Sequence, residues 1–305
     1  MSDSRSKAVR KRALGVFQLF AGLVLLAGAA QAGSDWPRVV YSEDGTPISY
    51  EVHGSGEPTL VFVHGWSCDL RYWRAQVRHF SRNHKVVTVD LAGHGHSGLQ
   101  RESYSMSAFG EDVRAVIEAV GSDDVVLIGH SMGGPVVAET AQLLPDRVRG
   151  LIGVDTFQNL EEEVTQEGMD EWLAPFKSDF RERASQFVAS MFVPETDESL
   201  RDWVIADMSA APPDVAMSAM EHLLKDTMTG EARQVFDGLE IPVVTINADL
   251  WPTNVEANRR HMHSFDAVLM QGTDHFLHMA RPEAFNTQLA EVIAQLTNSD
   301  SPRND

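Results

Sequence analysis

The sequence of 305 residues predicts an α/β protein: a mostly parallel, twisted sheet flanked by helices and interrupted once by an inserted helical cap. Three observations carry that prediction. Short, continuously apolar runs recur along the chain, as in strands buried on both faces. Helical patterns separate them, and strands alternating with helices build βαβ units with right-handed crossovers. The alternation lapses between residues 157 and 238, where the chain is helical, acidic and broken by Pro175, Pro194 and Pro212-Pro213, and then resumes.

In chain order, Arg5, Lys7, Arg10, Lys11 and Arg12 precede an apolar run over 13–30 that closes on Ala30-Gln31-Ala32. A basic start, an apolar stretch and a small-x-small end form a secretory signal. Residues 1–32 are therefore expected to be a signal peptide, and the chain to be exported, periplasmic or secreted. The alternative is an uncleaved anchor, since the run lies at the short edge of what spans a bilayer. Runs at Arg38–Tyr41 and Pro47–His53, joined through Asp44-Gly45, predict an edge hairpin.

Gly54-Ser55-Gly56-Glu57-Pro58 breaks the chain before the apolar run Thr59–Val63, and further runs follow at Val86–Val89, 125–128 and 151–154. Helical patterns occupy 72–80, Met106–Val120 and 135–144. Beyond the insertion come a strand at 242–246, a helix at Val255–His261, a strand at 267–270 and a helix at 282–296. One sheet is thus expected from 33–156 and 239–298, with a cap over 157–238 and a polar tail over 299–305.

Composition bounds the function. Hydrophobic residues at 43% and charged residues at 23% exclude a disordered or collagen-like chain. The formal charge of −19 disfavours nucleic acid and anionic membrane surfaces, so neither partner is expected once the signal is removed. The lone Cys68 permits no intrachain disulfide and, with no base beside it in sequence, reads as a packed small hydrophobe. His94/His96, His261/His263 and His275/His278 have metal-like spacings, but no carboxylate or cysteine set completes a ligand pattern. No metal or cofactor is expected.

The chemistry concentrates in Val125-Val126-Leu127-Ile128-Gly129-His130-Ser131-Met132-Gly133-Gly134, an apolar strand that runs through G-x-S-x-G into a helix. A sharp strand-to-helix turn strains the serine and requires small neighbours, which Gly129 and Gly133 supply. A serine nucleophile needs a histidine base, and the histidine needs an acid to fix its tautomer. His275 follows the 267–270 strand and Asp249 the 242–246 strand, and in a parallel sheet these loops open on one edge. Asp155 also follows a strand. The order of the loops favours Asp249 as the acid and leaves Asp155 as a turn residue at the start of the cap.

Together with Val61-Phe62-Val63-His64-Gly65-Trp66 and Asp90-Leu91-Ala92-Gly93-His94-Gly95-His96-Ser97-Gly98, these motifs resemble the α/β-hydrolase fold family, in its esterase-, lactonase- and perhydrolase-like branch with a helical cap. The resemblance covers about residues 39–296. It implies Ser131 as nucleophile, His275 as base, Asp249 as acid, and an oxyanion hole from the backbone amides of Trp66 and Met132. Two departures affect loop geometry: Asn247 where many members have glycine, and Thr273-Asp274 before the histidine.

The expected activity is hydrolysis of a small to medium carboxylic ester or lactone through an acyl-enzyme, with a small ester-like molecule as partner. C–C bond hydrolase, amidase and thioesterase chemistry share the triad, and a non-catalytic binding member is the reading from another class. The cap's aromatic and methionine side chains suit an apolar chamber over the serine.

Overall fold

The computed structural model describes residues 37–298. The expected signal peptide, residues 1–32, and the tail 299–305 lie outside the described residues. Among the described residues no helix is long and apolar enough to cross a membrane.

Eight strands form one sheet: β1 (Arg38–Tyr41), β2 (Pro47–His53), β3 (Thr59–Val63), β4 (Val86–Val89), β5 (Val125–His130), β6 (Val148–Val154), β7 (Pro242–Ala248) and β8 (Ser264–Met270), in the order β1-β2-β4-β3-β5-β6-β7-β8. β1 and β2 pair antiparallel as the Asp44-Gly45 hairpin predicts, and β2 joins β4 antiparallel. The other neighbours are parallel. The carboxyl ends of β3, β5, β6, β7 and β8 therefore open along one edge.

The central strands read as unbroken apolar runs because both faces are covered. In β3, Val61 and Val63 enter one core while Leu60 and Phe62 enter the other; in β5, Val125 and Leu127 oppose Val126 and Ile128. Helices α1 (Arg74–Phe80) and α11 (Pro282–Asn298) cover one face through Phe80, Phe285, Leu289 and Ile293. Helices α2 (Met106–Val120) and α3 (Gly133–Leu143) cover the other through Phe109, Val113, Val136 and Val137. α2 starts where Ser105 Oγ accepts from the Ala108 amide and stops at Gly121, whose φ of 67° only glycine adopts readily.

Between β6 and β7 lie α4 (Gln166–Ser178), α5 (Phe180–Ala189), α6 (Glu198–Met208), α7 (Pro213–Thr229) and the single turn α8 (Glu231–Gln234). Side chains of Thr165, Asp179 and Asp197 cap the first three, and Pro213 opens α7 with no amide to lose. The short helices α9 (Val255–His261) and α10 (Leu277–Ala280) complete the order.

Strand ends run further than their apolar cores. β5 continues through Gly129 and His130 because these pair with Gly153 and Val154. β8 begins at Ser264 rather than 267, as suits an edge strand whose exposure is mixed instead of running apolar.

Candidate active site

The turn between β5 and α3 holds Ser131 at φ 52°, in the left-handed region that β-carbon-bearing residues avoid. Its surroundings enforce that strain. A side chain at Gly129 would collide with the Gly133 carbonyl, and one at Gly133 would meet the Val63 carbonyl oxygen at 2.6 Å and that of His64 at 2.8 Å. The Ser131 amide donates to the Val154 carbonyl at 3.0 Å, tying the turn to the end of β6. α3 starts two residues later, so its amide-rich end lies next to Ser131 in the chain.

His275, buried in the loop after β8, directs Nδ1 at Asp155 Oδ2, 2.5 Å away. Asp155 sits one residue past β6, also with positive φ (44°), and its other oxygen accepts from the Ala248 amide at 2.9 Å. Both carboxylate oxygens are thus engaged, and the residue is buried. The ring proton on Nδ1 faces the carboxylate, which leaves Nε2 free to accept a proton. Ser131 and His275 line one cavity; no hydrogen bond joins them among the described residues.

Contrary to the sequence expectation, the structure does not bring Asp249 to His275: the carboxylate at the ring is that of Asp155. Asp249 is exposed, and its Oδ1 accepts from the amides of Gly272 (2.9 Å) and Thr273 (3.4 Å). Those amides hold its carboxyl below the ordinary range. Asp249 thus braces the turn before the histidine, whereas the Asp155 turn carries a carboxylate to the ring. Both aspartates follow parallel strands and both lie between Ser131 and His275 in sequence, so motif order alone does not separate them.

Asn247 braces the Asp155 turn. Its Oδ1 accepts from the Thr156 amide at 3.2 Å and its Nδ2 donates to the Thr156 carbonyl at 3.1 Å, so the side chain standing in place of a glycine fixes the turn that aims Asp155. The second departure is likewise structural. Asp274 accepts from the Phe276 amide at 2.8 Å and from the Thr196 hydroxyl, and burial raises its carboxyl above the usual value.

Trp66 and Met132 flank Ser131 on the cavity wall. Among the described residues neither backbone amide meets an acceptor. The Trp66 loop is fixed from beneath, where His64 Nδ1 donates to the Gly65 carbonyl (2.9 Å) and His64 Nε2 accepts from the Leu91 amide (3.1 Å). From above, Trp66 Nε1 donates to the Ala216 carbonyl of α7 at 2.7 Å, and the indole meets Phe176, Phe180 and Phe187 of α4 and α5 edge-on.

The cavity has a volume of about 900 Å³, within the range of small-molecule sites. Trp66, Trp172, Phe187, Met191, Met208 and Met220 make its wall largely apolar, and its lining carboxylates are Asp155 and Glu162, with no lysine or arginine. Cys68 lies in the same wall as a thiol whose pKa burial pushes well up. Of the paired histidines, His94 is buried and desolvation takes its pKa down to about 3, while His96 is exposed. Among the described residues no group of three His, Cys, Asp or Glu side chains could hold a metal ion.

Residues 58–202 match a sequence family described as alpha/beta hydrolase fold. The chain is 38% identical over 100 residues to a non-heme haloperoxidase of Rhodococcus erythropolis, a match over 32% of this chain and 36% of that protein. It is 26% identical over 270 residues to the pimeloyl-[acyl-carrier protein] methyl ester esterase of Yersinia enterocolitica, over 83% of this chain and 99% of that one. The chain spans little more than a third of the length of the curated relatives it matches at higher identity. Among solved structures, a bromoperoxidase from Bacillus anthracis superposes with a TM-score of 0.75 at 22% identity, covering 85% of this chain and 99% of that one. Strand order and structural likeness together give this chain the α/β-hydrolase fold, and residues 58–202 carry the sequence likeness to that family.

Proposed function

We propose that this protein is a serine hydrolase that cleaves small to medium carboxylic esters or lactones through an acyl-enzyme. The observation that carries the reading is the 2.5 Å contact between His275 Nδ1 and Asp155 at a cavity shared with the strained Ser131. His275 Nε2 takes the Ser131 proton as Oγ attacks the ester carbonyl, and the Trp66 and Met132 amides receive the negative oxygen. The tetrahedral adduct expels the alcohol, which takes the proton back from His275. Water, deprotonated by His275, then attacks the acyl-enzyme and releases the acid with Ser131 restored.

The apolar wall supports a neutral acyl group. Each added methylene contributes about 0.8 kcal/mol of burial, up to roughly fourfold in kcat/KM until the chamber is full. A carboxylate-bearing acyl group would meet Asp155 and Glu162 with no cation to pair it. Turnover of p-nitrophenyl esters of graded length, beside a succinyl ester, tests this: the expected result is an optimum at short to medium neutral chains. Covalent fluorophosphonate labelling that is lost in Ser131→Ala tests the nucleophile, and undiminished ester turnover in that variant would overturn the reading. The sequence of residues 1–32 supports export, and N-terminal sequencing of the exported protein tests cleavage after Ala32.

A further inference from the structure

The residue before the nucleophile lines the same cavity and reaches toward the loop that carries the base. His130 is buried, and its Nε2 lies 2.9 Å from the backbone carbonyl oxygen of His275. A carbonyl only accepts, so Nε2 carries the proton and the neutral ring keeps its lone pair on Nδ1. Nδ1 has no partner among the described residues. It faces Gly65, where a β-carbon would approach it to 3.0 Å, so the glycine next to Trp66 leaves room for the ring. His278, His275 and Phe276 enclose the imidazole at centroid distances of 4.6, 4.7 and 5.5 Å. Desolvation within this group, reinforced by the two histidines, holds the His130 pKa well below its ordinary value.

We propose that His130 is a positioning residue for the base: through its Nε2–H it locks the His275 peptide to the end of the strand that leads into Ser131. The inference rests on the serine-hydrolase reading above. His275 is then held from three elements. The Met191 carbonyl of the cap accepts from its amide at 3.2 Å, Asp155 holds its ring, and His130 holds its carbonyl. Of these three, only His130 is adjacent in sequence to the nucleophile, so it fixes the distance over which the proton moves. Releasing the carbonyl lets the peptide rotate and displaces Nε2 of His275 from Ser131, and displacements near 1 Å cost on the order of 100-fold in rate.

Glutamine and asparagine separate this role from packing. The Gln amide nitrogen lies at the same covalent distance from Cα as histidine Nε2, whereas the Asn amide nitrogen matches Nδ1. The expected result is that His130→Gln keeps kcat within severalfold of the parent, while His130→Asn and His130→Leu lower it by on the order of 10- to 100-fold. KM for a p-nitrophenyl ester and the thermal midpoint of His130→Asn should stay close to those of His130→Gln.

Equal kcat in all variants, or equal loss in Gln and Asn, would overturn the proposal. Nitrogen NMR of the ¹⁵N-histidine-labelled parent, which needs no variant to fold, should show His130 as the neutral Nε2–H tautomer at pH 7, and the Nδ1–H tautomer would refute it. Ser131→Ala assayed alongside isolates the underlying reading: turnover that survives it removes the serine mechanism but leaves the tautomer result standing.

Discussion

At His275 a single contact determines which carboxylate can serve the ring. Asp155 Oδ2 is 2.5 Å from Nδ1, and an amide there would present a donor to the imidazole and favour the wrong tautomer. Asp155→Asn should therefore lower kcat by on the order of 10⁴-fold with the fold intact. Asp249→Asn keeps an oxygen for Gly272 and should cost less than about tenfold, the scale of one weakened hydrogen bond. Steady-state kinetics on the two variants decides the matter, and the reverse order would return the role to Asp249. Ser131, its flanking glycines and His275 were legible in sequence because strain, space and loop order each demand a residue type. The Asp155 contact was not: it depends on a backbone turn at φ 44° and on Asn247 bracing the next residue, and neither changes the spacing of the motifs.

Elements add a link between cap and core that composition does not show. The connection between α5 and α6 touches the histidine loop three times: the Met191 carbonyl accepts from the His275 amide, Phe192 stacks on Phe276 at 5.0 Å and 21°, and the Thr196 hydroxyl donates to Asp274. On the opposite side, Trp66 Nε1 donates to α7. The cap helices thus support both the histidine loop and the loop carrying Trp66, and a cap that swung away as a rigid lid would loosen both. Thr196→Val replaces the hydroxyl with a methyl group and leaves a buried carboxylate short of a partner, at a cost of about 1–3 kcal/mol. The expected outcome is a thermal midpoint several degrees lower and kcat reduced about tenfold with little change in KM; unchanged kcat would make the contact purely structural. The central strands were readable as apolar runs, but their ends and the edge strand β8 were set by pairing and exposure rather than by hydropathy. The cap was readable as helical, while its grip on the core depends on which side chains meet after folding.

Over the whole molecule, buried imidazoles and a half-buried carboxylate on cap helix α7 make stability depend on pH in opposing directions. His94 and His278 are held neutral by desolvation with pKa values of about 3, and burial lowers His64 and His130 as well. In the unfolded chain these imidazoles titrate near 6.5, so the unfolded state binds more protons below that pH. Their contribution is fully present above 6.5 and is lost as pH falls from 6.5 toward 3. Asp226 acts in the other sense. Burial, then repulsion from Glu231 and Glu139, raises its pKa from 3.8 to about 6, so it favours the fold below 3.8 and disfavours it increasingly as pH rises through 6. Asp226→Asn removes that charge and should stabilise the protein only at higher pH. Because the site is partly solvated, the gain is discounted to about 1 kcal/mol, or roughly 2–4 °C in thermal midpoint. Thermal unfolding from pH 4 to 8 should show the parent losing stability below pH 6.5, with the variant raised at pH 7–8 and converging on the parent near pH 4. An equal gain at every pH would trace the effect to packing rather than charge, and no gain at pH 8 would remove the repulsion from the account.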